Sequence, residues 1–462
     1  MRITGGRILT SEGFIETDLV VAGETIVGFA DPADAAGDEP VVDATDRWVL
    51  PGGVDAHTHF GMPLGGGVRS QGWRDASEAA LLGGTTTVID FANPEPGESL
   101  AAAAARWRQP AAGRCLCDHG LHVTIADTSA ARLAEIPELV AAGLPTCKGF
   151  LAYKGRLMLS PDQMRDLMVA VARAGGRLLI HAEDGELNAA AERLLLDTGR
   201  TAPRYHAVAH PPESEVRAVD QALELALATG CPTTLVHLSL GASLDLLTAA
   251  RRRRDRDRPD LPLVGEVCLH HVFATDELYH GGHEAALAAI CSPPLRPAAD
   301  GAVLLAGLAD GALDLLSTDH CAFPLRLKAD RAASGFPAVP NGCGGVGERL
   351  TVSHALAVAT GRLTPARWHD VVARRPAELM GLAGRKGRLA AGHDADIVLF
   401  DPRPTYRWQP LGRSDRAGSL WSGLPVTGKV TDVWLRGRQV VEGGRLAADV
   451  EAGVFLTRRF PS

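Results

Sequence analysis

The first fifty residues alternate apolar and polar positions in short bursts, "GRILTSEGFIETDLVVAGETIVGFA", broken by Gly and Asp turns. A period of two marks small antiparallel strands. The same texture returns near the other end in "HDADIVLFDP" and "VTDVWLRGRQVVEGG". Two half-sheets separated by the middle of the chain are expected to pair into one composite β-sandwich domain, residues 1–50 plus 385–450. Residues 451–462 are left as a C-terminal tail, and residues 51–384 carry a core of their own.

Within 51–384 the pattern changes to strand and helix in alternation, which argues for parallel strands joined by helical crossovers. Apolar runs predict strands at 48–56, 85–91, 120–126, 145–152, 176–182, 233–238, 262–268 and 312–318. Helical periods lie between them. "PDQMRDLMVAVARAGG" follows Ser160 as N-cap with Pro161 at the first helical position, and "ESEVRAVDQALELALATG" sets Val216, Val219, Leu223 and Leu227 on one face. The Ala-rich run 101–105 reads as helix, not linker. Eight strands with eight crossovers predict an α/β fold of the (β/α)8 TIM-barrel type.

Composition fits a globular enzyme: 462 residues, 46% hydrophobic and 22% charged. No apolar run reaches the roughly 20 residues that a membrane span needs. A net charge of −8 argues against a nucleic-acid partner. The one basic run, Arg251–Arg254 with Arg256 and Arg258, is broken by Asp255 and Asp257 and reads as a solvated helix end. "MRITGGRILT" has no secretory apolar segment, so a cytoplasmic location is expected. Eight scattered Cys without a C-x-x-C pair indicate neither zinc ribbon nor disulfide framework.

In such a barrel the chemistry sits at the C-terminal ends of the strands. There the chain places His57 and His59 ("PGGVDAHTHF"), Lys148 ("TCKGFLAYKG"), His181, His237 and Asp319. His57 and His59 are two residues apart on a strand and project to one face, where both can grip one ion. Four imidazoles and a carboxylate exceed what one tetrahedral zinc needs and suit two divalent metals with room for water. Two such ions need a bridging anion, and no second Asp or Glu stands at an obvious strand end. Lys148 is the candidate: as an ammonium, with ordinary pKa near 10.4, it would be repelled, whereas carboxylation by carbon dioxide makes it a bridging carbamate.

Taken together, "PGGVDAHTHF", "AALLGGTTTVIDFANPEPGESL", "KGFLAYKG", "LLIHAEDGE", "TTLVHLS", "CSPPLR", "STDHCAF", "VPNG" and "AAGHDADIVLFDP" resemble the amidohydrolase superfamily, and within it the dihydropyrimidinases and D-hydantoinases. The resemblance implies that His57 and His59 bind the more buried metal with Asp319, that His181 and His237 bind the other, and that N6-carboxylated Lys148 bridges them. It implies two divalent ions per subunit, zinc being the expected metal, and substrate contacts from Tyr153, Ser292 and Asn341. The implied reaction opens the ring of a small cyclic amide, a dihydropyrimidine or 5-substituted hydantoin, through a hydroxide held between the metals. Asp319 shuttles the proton and Tyr153 steadies the oxyanion. Members are commonly homotetramers, with a homodimer as the alternative, and Trp408 and Trp421 are candidate anchors for a neighbouring subunit.

Several segments depart from the family. "EVCLHH" stands where a Pro-Gln-Tyr segment is frequent, and "CAFPLRLKADRAASGFPA" differs in detail. Phe60 is followed by Gly-Met-Pro and not by the Arg of dihydroorotases and allantoinases, which weighs against both. Met62, Leu64, Phe150 and Leu157 are candidates for an apolar lid over the ring substituent. Another cyclic-imide hydrolase or an allantoinase remains an alternative, as does a non-catalytic scaffold similar to collapsin response mediator proteins, which lack the metal ligands filled here.

Overall fold

The computed structural model describes residues 1–34, 37–65, 67–412 and 419–460. Residues 35–36, 413–418 and 461–462, which fall in the expected sandwich segments and tail, lie outside the described residues. Eight parallel strands form one sheet: β1 Gly53–Thr58, β2 Thr85–Ala92, β3 Asp118–Thr124, β4 Thr146–Phe150, β5 Arg177–His181, β6 Thr233–Leu235, β7 Leu263–Cys268 and β8 Leu315–Ser317. They are hydrogen-bonded in chain order. A parallel bridge between Thr58 and His320, with His59 N donating to His320 O at 2.8 Å, brings the last strand back beside the first. Every residue of the eight strands is buried, as expected for parallel strands covered on both faces.

Several strand boundaries differ from expectation: 120–126 is observed as Asp118–Thr124, 145–152 ends at Phe150 and 312–318 starts only at Leu315. The run 48–56 is divided, with Trp48–Pro51 in another sheet and β1 starting at Gly53. The runs 233–238 and 312–318 stop pairing at Leu235 and Ser317. Each stops because a left-handed backbone follows, at His237 (φ 42°) and Asp319 (φ 47°), which apolar periodicity does not encode.

The helices follow their local signals. α1, Pro161–Arg173, opens with a reciprocal capping box between Ser160 and Gln163. The Ala-rich run lies in a helix, Leu100–Ala111, capped by Ser99. In α2, Pro212–Thr229, the buried face is Glu215, Ala218, Val219, Ala222, Leu223 and Ala226, so Val216 and Leu227 lie at its margins. The face turned because Glu215 accepts hydrogen bonds from Ser239 N and Ser243 Oγ at 3.0 and 2.7 Å, drawing a carboxylate inward. Arg251 is likewise not solvated: it donates to Leu263 O and Ala312 O at 2.9 and 2.6 Å and pairs with Asp314.

Strands from both chain ends pair directly. A seven-stranded sheet runs Arg445–Leu446, Arg438–Glu442, Pro425–Leu435, Ile397–Arg407, Trp48–Pro51, Arg7–Thr10, Gly13–Glu16, with Ile397 opposite Pro51 and Phe400 opposite Trp48. Thr25–Ala30, Asp18–Ala22, Arg2–Thr4 and Val41–Asp43 form a second, four-stranded sheet. Trp408 and Trp421 are buried in this chain's own core, so neither indole is presented to a neighbour. The described residues toward the C-terminus dock on the barrel. Leu456 N donates to His119 O at 2.7 Å, and the fully buried Arg458 guanidinium reaches Leu121 O, Thr146 Oγ1 and Met380 O at the barrel floor. No helix among the described residues is long and apolar enough to cross a membrane.

One buried ion cluster ties the barrel to the terminal sheet. Lys386 Nζ lies 2.7 Å from Asp118 on β3 and 2.8 Å from both Asp394 and Asp396. Removing the ammonium would leave carboxylates facing one another out of water. Lys386→Met should therefore cost about 3–5 kcal/mol, read as a lower denaturation midpoint; an unchanged midpoint would show that the cluster carries no stability.

Candidate metal centre

β1 delivers two imidazoles to the rim. His57 sits in the strand, and His59 follows it after the ladder ends. Asp319, just past β8, places Oδ1 3.2 Å from His57 Nε2 and 2.9 Å from His59 Nε2. One donor atom from each of the three lies within 4.8 Å of the others, a set that fits a cation. Both contacts use Oδ1.

The second pair adjoins the first. The rings of His181 and His237 are 4.5 Å apart, and those of His57 and His237 are 5.5 Å apart. Lys148 on β4 is buried between aromatic faces, its Nζ 5.1 Å from the Phe91 ring centre and 5.2 Å from that of Phe150. Among the described residues it forms no ion pair. All six expected ligands therefore face one rim region. The fit to cations is chemical as well: His59 Nδ1 and His237 Nδ1 are buried without hydrogen-bond partners, which is costly unless something else binds them.

Electrostatics favour ligating forms. Burial pushes the imidazoles of His181 and His237 down, so both are neutral at pH 7. Burial alone would raise Asp319, but His57 and His59 outweigh it and hold the carboxyl below its ordinary range. Lys148 is pushed down to about 8, first by burial. Its amine is thus neutral in part near neutral pH, the form that attacks carbon dioxide.

The candidate substrate contacts also meet. Asn341 Nδ2 donates to Ser292 Oγ at 3.0 Å, and the Tyr153 hydroxyl hydrogen-bonds Ser292. The Tyr153 ring lies 5.1 Å from that of His181. Among the described residues, five non-Gly residues have left-handed backbone, and three of these are Tyr153 (φ 64°), His237 and Asp319. Such strain persists where surrounding structure over-determines it, and it clusters at functional sites. Of the candidate lid, Phe150 packs at 5.6 Å from the His181 ring. Met62, Leu64 and Leu157 are half-buried.

Four carboxylates that hydrophobic patterning does not mark support the rim: Glu183 lies two residues past β5, whereas Glu266, Asp55 and Asp90 lie within β7, β1 and β2. Glu266 on β7 accepts from His57 Nδ1 at 2.7 Å, from His237 N at 3.2 Å and from Ser317 Oγ at 3.1 Å. Glu183 accepts from His181 Nε2 at 2.7 Å and from His210 Nδ1 at 2.8 Å. Both are fully buried and hold the imidazoles from behind. Asp55 accepts from Thr318 Oγ1 at 2.6 Å, linking β1 to the segment that carries Asp319. Asp90 accepts from Phe60 N at 2.6 Å and fixes the backbone beyond His59. Their only sequence signal is proximity, Glu183 two residues after His181 and Glu266 two before Cys268.

Known proteins resemble this chain over nearly its whole length. A family model described as "Amidohydrolase family" matches residues 48–440. The "D-hydantoinase" of Streptomyces coelicolor is 34% identical over 445 residues, covering 95% of this chain and 94% of that protein. The "D-phenylhydantoinase" of Escherichia coli is 32% identical over 460 residues, with 99% and 98% coverage. Among solved structures, the dihydropyrimidinase from Brevibacillus agri superposes with a TM-score of 0.95 at 30% identity, covering 100% of this chain and 99% of that one. The D-hydantoinase from a Bacillus sp. does so with a TM-score of 0.94 at 29% identity, covering both chains fully. With a matching family model over most of its length and a barrel rim carrying the donors just described, this chain belongs to the amidohydrolase family.

Proposed function

We propose that the protein is a cyclic amide hydrolase of the hydantoinase and dihydropyrimidinase type, opening dihydropyrimidines or 5-substituted hydantoins to N-carbamoyl amino acids. His57, His59 and Asp319 would hold one divalent cation, His181 and His237 a second, and carboxylated Lys148 would bridge them, with zinc as the expected metal. One observation carries the reading: Asp319 Oδ1 lies 2.9 and 3.2 Å from His59 and His57, in a group that continues ring to ring into His237 and His181. The names of the relatives point to the same substrate class. A homotetramer, or a homodimer, belongs to the proposal as well.

When bound, the cations supply an activated water at neutral pH and polarise the carbonyl under attack. Asp319 accepts the proton of that water through a carboxylate oxygen and passes it to the leaving amide nitrogen. Its left-handed backbone aims the carboxylate away from the strand direction and toward His57 and His59. Tyr153 donates its hydroxyl to the developing oxyanion. Burial raises that phenol, so it keeps its proton. Ser292 and Asn341, already hydrogen-bonded to each other, offer paired donor and acceptor groups to the flat imide edge of the ring.

Three measurements test this. With the loaded enzyme, hydantoin, 5-phenylhydantoin or dihydrouracil should be opened; turnover of allantoin alone would overturn the substrate class. Lys148→Ala should lose metal and at least about 100-fold in activity, partly restored by short carboxylic acids that can bridge. Full activity without rescue would remove Lys148 from the centre. Asp319→Asn should retain most metal yet lose roughly 10²- to 10⁴-fold in turnover, and near-normal turnover would rule it out as the proton shuttle.

A further inference from the structure

A second group of metal-type donors stands at the end of β7, outside the six proposed ligands. Cys268 closes the strand and precedes the helix α3, Leu269–Phe273, whose second and third residues are His270 and His271. All three are buried. One donor atom from each lies within 4.8 Å of the others.

The imidazoles are set up to ligate. His271 Nε2 donates to Pro293 O at 3.0 Å, which fixes the proton there and leaves Nδ1 with a lone pair. That Nδ1 is buried without a hydrogen-bond partner, and so is His270 Nε2. Two nitrogens without hydrogen-bond partners thus stand beside one buried thiol. Burial also lowers both imidazoles, His271 to about 4, which keeps them in the neutral form that binds metal.

We propose that Cys268, His270 and His271 form a third cation site, selective for borderline-soft divalent ions such as zinc or cobalt. A fourth position remains for water or a small ligand. The Cys268 thiol, raised by burial, loses its proton to solvent as the metal–sulfur bond forms, so one proton leaves per ion and uptake tightens as pH rises. The site is chemically distinct from the centre formed by the six proposed ligands, whose donors are nitrogen and oxygen alone. It uses none of those ligands. It lies close enough to Asp319 and His57 for both to act on His270. A cation there therefore adds positive charge next to the proposed reaction centre.

The test is cobalt loading of the full chain, read by metal analysis and near-ultraviolet absorbance. The expected result is a thiolate-to-cobalt charge-transfer band with three ions per chain. Cys268→Ser, nearly isosteric, should abolish the band and lose one ion while melting as the parent does. His271→Gln should raise the cobalt needed for the band roughly ten-fold or more. A fully loaded parent protein without the band overturns the proposal, and so does a band that survives in Cys268→Ser. Should Cys268→Ser not fold, the parent spectrum still decides. A band with a single ion per chain supports the third site while removing the two-ion centre, and two ions without a band does the reverse.

Discussion

Burying imidazoles and an amine at the rim of an apolar barrel is unfavourable unless each finds a partner, and that constraint organises the whole site. A polar group taken out of water without a hydrogen bond costs about 1–3 kcal/mol. Here His59 Nδ1 and His237 Nδ1 lack hydrogen-bond partners, and Lys148 Nζ lies between two aromatic faces. Left-handed backbone at Tyr153, His237 and Asp319 adds roughly 1–3 kcal/mol at each. A fold maintains such a concentration of cost where a bound cation returns it.

The surrounding layer makes the arrangement rigid. Glu266 and Glu183 take opposite ring nitrogens of His57 and His181, Nδ1 in the first and Nε2 in the second, and so decide which nitrogen each ring turns toward the centre. Arg349 donates to Val54 O on β1 and Leu316 O on β8, both at 3.0 Å, holding together the strands that bring His57 and Asp319 into reach. Asp55 performs the same closure from the carboxylate side. The geometry at Asp319 Oδ1 is thus a property of how the barrel shuts, not of a local loop.

Much of this was readable in the chain. The eight apolar runs named the eight strands because buried parallel strands need continuous hydrophobic stretches, and polar residues closing those runs marked the rim. Ser160 and Pro161 announced the start of α1 through a local cap. What stayed hidden depended on long-range contacts. Glu266 reads as an interruption of a core strand until His57, 209 positions away in sequence, comes beside it. Glu215 looks like the exposed face of a helix until Ser239 and Ser243 draw it inward. Trp408 and Trp421 resemble interface residues only because the sequence does not reveal the core that covers them. The split of 48–56 between two sheets has no hydrophobic signal, since both halves are buried.

The most direct test of the central claim is anomalous diffraction from crystals of the protein grown with zinc and bicarbonate. The expected map has two zinc peaks among His57, His59, His181, His237 and Asp319, bridged by density for a carboxylated Lys148. An unmodified amine at Lys148 with no peak beside those residues would contradict it.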